Sequence, residues 1–176
     1  MACNAYTIAG LVNDCARSKG GIKNVYIANY EDVQSVSVGT DGDKEKITAI
    51  TMKDTAKFKK YYFRPNTSSH SDALTRNDAN GVNYVTSTVS LVFTRQDTLK
   101  RIEMTALCVN DLAIIVEDAN GFVTYLTKDA PAVATEAAGE SGVAAGDGCK
   151  YSIVLSADNE TFPYEVTAEA LAAVIE

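Results

Sequence analysis

The chain reads as a mainly β protein: a β-sandwich or partly closed barrel with one flanking α-helix, a long projecting β-hairpin and a short C-terminal helix. Three observations carry that reading. Val85, Val89, Leu91 and Phe93 fall on one face of a run and Tyr84, Thr86, Thr88, Ser90 and Thr94 on the other, the period of two of a half-buried strand. A helical period of three and four residues is confined to Leu99, Ile102, Ala106 and Val109 and to the last residues. The tetrad Asp-Ala-Asn-Gly occurs at 78–81 and again at 118–121, each time between extended runs, as a hairpin turn requires.

With 176 residues, 46% of them hydrophobic, the chain can bury a proper core as a single domain, 1–176. Residues 1–21 show no clean period and end at Gly20-Gly21, so they are expected to form an N-terminal arm. Ile22 to Tyr30, Val33 to Val38 and Ile47 to Met52 are rich in β-branched and aromatic residues and read as strands. Residues 57–95 read as one long hairpin of two extended arms. An arm from Val82 to Arg95 spans about 45 Å at about 3.3 Å per residue, more than the roughly 40 Å diameter of a compact chain of this size. The hairpin is therefore expected to curl around the domain or to project from it, and the unpaired edges of a projecting hairpin call for a neighbouring subunit. Gln96 to Val109 reads as one amphipathic helix, with Leu99, Ile102 and Ala106 toward the β-core and Thr94 placed as a cap three residues before Asp97. Leu112 to Glu117 is a buried strand and Phe122 to Leu126 its partner. Residues 129–148 collapse to Ala, Gly, Val and acidic side chains and read as a loop. Lys150 to Leu155 is a strand, Asp158 to Pro163 a turn, and Thr167 caps a closing helix, Ala168 to Ile175.

Charge limits the partners. A formal charge of -7 argues against tight binding of nucleic acid or anionic membrane, which needs clustered Lys and Arg. Residues 1–101 hold 14 basic and 10 acidic side chains, whereas 102–176 hold only Lys128 and Lys150 against 13 acidic ones, which points either to a solvated acidic surface or to two oppositely charged faces. No run approaches the apolar length of a membrane span, so no membrane insertion is expected. The N-terminus lacks a basic leader and a long apolar run, so a signal peptide is not expected and synthesis in a reducing cytoplasm follows.

Catalytic, cofactor-binding and metal-binding residues are not expected. Cys3, Cys15, Cys108 and Cys149 lack zinc-ligand spacing, and Cys108 and Cys149 read as buried free thiols. The glycines from Gly139 to Gly148 lack a following Lys-Ser/Thr and carry acidic neighbours that repel phosphate. Asp41 to Glu45 has Lys46 where a calcium loop has glycine and lacks a glutamate at the twelfth place. His70 sits among Ser69, Ser71 and Asp72, but neighbours in sequence do not form a catalytic relay, which converges from separate elements.

The order Gly20-Gly21-Ile22-Lys23, Val25-Tyr26-Ile27-Ala28, Ile47-Thr48-Ala49-Ile50 and Lys59-Lys60-Tyr61-Tyr62-Phe63 opening a Ser/Thr-rich hairpin resembles tail tube proteins of phages that infect Bacteroides-like bacteria. Arg101-Ile102-Glu103, Leu112 to Asp118 with Asn120-Gly121, and Thr161 to Val166 continue the resemblance over nearly the whole chain; the Ala/Gly stretch 129–148 departs from it. Such proteins are similar in fold to type VI secretion tube proteins. The resemblance implies a structural, non-enzymatic virion protein, assembled in the bacterial host cytoplasm, whose copies form stacked, typically hexameric rings with other tail proteins. DNA would pass through without specific binding. Alternatives are another virion component, such as a connector, tail terminator or decoration protein, or a small monomeric ligand-binding β-barrel. On the tube reading, Tyr61, Phe63, Thr67, His70, Thr75, Asn80 and Tyr84 are expected in an inter-subunit hairpin. Thr86, Thr88, Ser90 and Thr94 are the candidate lumen face, and Lys44, Lys46, Lys53, Glu136, Glu140 and Asp147 the candidate stacking contacts.

Overall fold

A computed structural model describes residues 10–11, 15–40, 45–144 and 146–175. Along the chain run β1 (Ile22–Asn29), a 3-10 turn (Tyr30–Asp32), β2 (Val33–Val38), β3 (Lys46–Met52), β4 (Lys59–Tyr62), β5 (Ser69–Asn77) and β6 (Val82–Thr94). Then come α1 (Thr98–Val109), β7 (Leu112–Asp118), β8 (Val123–Tyr125), β9 (Val133–Glu140), β10 (Lys150–Asn159), β11 (Tyr164–Val166) and α2 (Ala168–Val174). They build two sheets, one of seven strands in the order β2-β3-β11-β8-β7-β1-β4 and one of four in the order β5-β6-β10-β9. Neither closes into a barrel; the molecule is a β-sandwich with a flanking helix and a C-terminal helix.

The seven-stranded sheet is buried on both faces at its centre, which explains why β1 and β7 read as continuous apolar runs. Val25, Ile27, Ile114 and Val116 meet Val89, Leu91, Ile153 and Leu155 of the smaller sheet. Tyr26, Ala28, Ala113 and Ile115 face the other way, into a second core with Ile47, Ile50, Phe58 and Val174. Thr167 caps α2 through a bond accepted from the Ala170 N–H (3.3 Å). In the described part of the N-terminal arm, Lys19 N–H donates to Asn120 Oδ1 (2.8 Å) and Asn120 Nδ2 donates back to Lys19 O (2.9 Å). Both turn tetrads form as the sequence implies, with Gly81 at φ 66° and Gly121 at φ 86°.

Five expectations are corrected. Residues 57–95 are not one hairpin: β4 pairs with β1 in the larger sheet, and the chain then crosses through Pro65 and Asn66 to the smaller sheet. The hairpin is β5–β6, and β10 accompanies β6 from Thr94 to Val85, so only the pairs from Thr75↔Tyr84 to Asn77↔Val82 extend past the sheet, by about 10 Å at about 3.4 Å per residue. Most of the length counted as projection is thus covered within the chain. Residues 133–140, expected in a loop, form β9 on β10; Ala and Gly have weak strand propensity, but an edge strand supported on one side needs only backbone pairing. α1 begins at Thr98 with Asp97, not Thr94, as its cap, accepting the Lys100 N–H (2.8 Å). Its buried residues are Met104 and Leu107, whereas Leu99 is 79% exposed and Ile102 53%. Cys108, expected as a buried thiol, is exposed; Cys3 lies outside the described residues.

Candidate functional site

The surface that gathers the largest group of the residues singled out from the sequence is the outer face of the four-stranded sheet. Alternation along β6 sends Val85, Ser87, Val89 and Leu91 into the core and leaves Tyr84, Thr86, Thr88, Ser90 and Thr94 outward. Register then lines up rows across the sheet: Ser71, Thr88 and Ser156; Ala73, Thr86 and Asp158; Ser69, Ser90, Val154 and Glu136. Thr86 Oγ1 donates to Asp158 Oδ1 (2.7 Å). Lys150 lies at one end of this face and is paired with Glu140 (3.2 Å). The other charges in these rows, Glu136 and Asp158, are acidic. The face is therefore a field of short hydroxyl and methyl side chains with no uncompensated cation in its rows. Sequence reading missed the β10 contribution, although the alternation of Ile153, Leu155 and Ala157 with Ser152, Val154 and Ser156 marks it.

Among the described residues neither edge of this sheet, β5 or β9, pairs with a further strand, and the two run in opposite directions because each neighbouring pair between them is antiparallel. On the inner flank of β5, Ser87 Oγ donates to Asp72 Oδ1 (2.6 Å) and His70 Nε2 lies 3.0 Å from the same oxygen. Burial alone would raise the Asp72 pKa, but the bonds from His70 and Ser87 outweigh it and hold the carboxyl below its ordinary range. Both side chains converge on the carboxylate and the hydroxyl does not meet the imidazole, so the cluster lacks the nucleophile–base contact that hydrolytic chemistry needs.

The remaining expected residues are scattered. Tyr61 belongs to β4, packs edge-on to Phe93 at 6.1 Å and donates to Glu103. Phe63 is buried against Phe93, with ring centroids 5.3 Å apart. Thr67 donates to Arg64 O (2.6 Å) in the crossing turn. Thr75 and Tyr84 oppose each other near the hairpin tip, and Asn80 lies in its turn. Lys44 falls outside the described residues. Lys46 pairs with Glu165 (3.1 Å) in its own chain, and Asp147 accepts the N–H groups of Val143 (2.9 Å) and Ala144 (2.8 Å). Lys53 follows β3 and Glu136 lies on β9. In the larger sheet β11, β8 and β7 of the second half lie between β2-β3 and β1-β4 of the first, whereas in the smaller sheet β5 and β6 lie together beside β10 and β9.

Glu117 accepts from Lys23 Nζ (2.7 Å), Asn24 Nδ2 (2.6 Å) and Tyr26 OH (3.0 Å). Burial pushes its pKa up, the three bonds pull it down, and the net direction is down. Burial and the Glu117 contact push Tyr26 up to about 12. These bonds tie β1 to β7 across the sheet. No group of three or more His, Cys, Asp or Glu side chains among the described residues is arranged to hold a metal ion, and no described helix is long and apolar enough to cross a membrane.

No protein-family model matches the chain, and no curated protein matches it. Among solved structures it is similar to a chain of a particle described as the virion of a native gene transfer agent, with a TM-score of 0.35 and 10% identity, over 80% of this chain and 99% of that one.

Proposed function

We propose that the chain is a structural subunit of a phage-like virion, and more narrowly a tail-tube subunit whose copies join into hexameric rings that stack with other tail proteins into a conduit for DNA. The observation that carries the reading is the pair of oppositely directed edges on one small sheet, nine residues long at β5 and eight at β9, which no other described strand pairs. Such edges invite pairing with another chain. Placing β9 of one copy against β5 of the next continues the sheet antiparallel, and repetition around an axis closes it. The hydroxyl face then becomes the channel wall. It offers no Lys or Arg array for phosphates to release counterions onto, and the net charge of -7 adds repulsion, so DNA slides rather than binds. Assembly in the bacterial host cytoplasm and residence in the virion tail follow from this role.

Negative-stain microscopy with sedimentation velocity on the purified chain tests it. Rings or tubes are expected; a uniform monomer at high micromolar concentration would overturn the reading. Closed rings that never stack would move the assignment to a connector or tail terminator.

A further inference from the structure

Two flanks of the molecule carry apolar surface that the described residues leave open. α1 runs alongside the β9 edge. At one end Gln96 Nε2 donates to Glu140 O (3.1 Å) and Lys150 O (3.1 Å); at the other, Leu112 and Ala132 exchange backbone bonds of 2.9 and 2.8 Å. Its outward side presents Leu99 (79% exposed), Ile102 (53%) and Val109 (78%). Arg101 is exposed next to this stripe and makes no ion pair among the described residues. On the opposite flank, beside β5, a groove of about 430 Å3 is lined by Leu74, Val85, Phe162 and Pro163, with Glu45 and Glu160 at its rim and no Lys or Arg in its described lining. Leu74 is 56% and Phe162 59% exposed.

We propose that α1 of one copy docks into the β5-side groove of the next copy of this chain. This rests on the ring reading above and specifies its second contact layer. Three features select a second copy as the occupant. The stripe lies on the β9 flank and the groove on the β5 flank, so the edge pairing that continues the sheet carries them toward each other. Apolar surface meets apolar surface on both sides, and exposed apolar patches of this kind mark interaction sites. The charges are of opposite sign, Arg101 on the helix and Glu45 with Glu160 at the groove, which steers the pair together and fixes which flank meets which. The contact is heterologous, one surface against a different one, so it propagates around a ring instead of stopping at a dimer.

The test uses the full chain in a background with Cys3, Cys15, Cys108 and Cys149 replaced by Ser. Val109→Cys combined with Phe162→Cys, oxidised after assembly, should give a ladder of covalent multimers on a denaturing gel, absent from either single variant. Leu99→Asp and Ile102→Asp change exposed positions and should keep the wild-type circular dichroism while raising the concentration needed for rings at least tenfold. Arg101→Glu should weaken assembly at low salt, and Glu160→Lys combined with it should restore it. If wild-type rings form but no ladder appears and the Asp variants assemble at wild-type concentrations, the docking is wrong and the ring stands. If the wild type forms no rings and no ladder, both fall.

Discussion

Leu107 and Ile102 lie on opposite sides of α1, and truncating each to Ala separates the observed packing from the one that periodicity suggests. Leu107 is 3% exposed and belongs to the main core with Leu112, Ile114 and Leu155, whereas Ile102 is 53% exposed. Removing the Leu107 side chain forfeits its transfer free energy and leaves a cavity that the two sheets cannot collapse, a loss of about 2–5 kcal/mol. For a chain of this length each kcal/mol moves the melting temperature by about 2–4 °C, so a loss of about 3 kcal/mol lowers it by roughly 6–12 °C. Ile102→Ala removes surface that is already half in water and should change stability by about 0.5 kcal/mol or less. Urea unfolding at a concentration where the chain is monomeric is the assay, because burial at an interface would add to the apparent stability by mass action. The urea midpoint should fall by roughly 1–3 M for Leu107→Ala if m is about 1–3 kcal/mol/M, and hardly at all for Ile102→Ala. Equal losses for the two variants in the monomer would refute the orientation of the helix.

Glu117→Gln should destabilise the protein at pH 7 by leaving Lys23 without its partner. The pKa of Glu117 is depressed in the fold, so its contribution is present above the unfolded value of about 4.3 and is lost as pH falls through the folded one. The gap in urea midpoint between wild type and variant should therefore narrow below about pH 4.3, and a gap that widens on acidification would contradict the assignment. At Gly139 an added Cβ would lie 2.8 Å from Tyr151 Cε1 and 3.3 Å from Gln96 Nε2, so Gly139→Val should cost about 1–3 kcal/mol by thermal melting. Thr88→Lys with Ser90→Lys should convert the hydroxyl face into one that binds DNA in a salt-dependent way by fluorescence anisotropy; no gain over wild type at low salt would count against an open, phosphate-accessible face. Replacing residues 76–83 by a two-residue turn should leave the melting temperature within a few degrees of wild type, since these residues lie at or beyond the last β10 pair, Asn159↔Val85.

The sequence disclosed the elements whose local signals and tertiary fates agree. β6 alternates because one face is core, both tetrads turn where Gly81 and Gly121 reach positive φ, and Thr167 caps α2. It concealed elements whose pairing comes from elsewhere. β9 is Ala/Gly-rich and forms because β10 offers a free ladder, and β11 is three residues long, held by a parallel bond to β3 and an antiparallel one to β8. The crossing at Phe63 was hidden for a related reason. Lys59 to Tyr62 and Ser69 to Asn77 are both extended, and only the burial of Phe63 between the sheets fixes the break. Of the candidate surface, the outward β6 residues were legible from period alone, while their neighbours Ser71, Ser156 and Asp158 required register.

The rotation of α1 follows from its anchors rather than its stripe. Leu99, Ile102, Ala106 and Val109 form the more continuous apolar row, and a hydrophobic-moment argument turns that row inward. The N-terminal end is nonetheless fixed by polar bonds: Asp97 accepts the Lys100 N–H (2.8 Å), Lys100 Nζ reaches Thr94 O (2.9 Å) and Arg95 O (3.0 Å), and Gln96 grips the ends of β9 and β10. Arg95, at φ 65°, sets the direction in which the helix leaves β6. With those bonds in place the side that meets the core is the one bearing Met104 and Leu107, which fill the gap beside Phe93 and Leu112. A helix that satisfies its core with two side chains and holds a longer apolar row in water carries a hydrophobic cost that local packing does not relieve. Burial against a neighbouring copy, as proposed above, would remove that cost, and the mismatch between the row that periodicity selects and the row the fold buries is what that proposal accounts for.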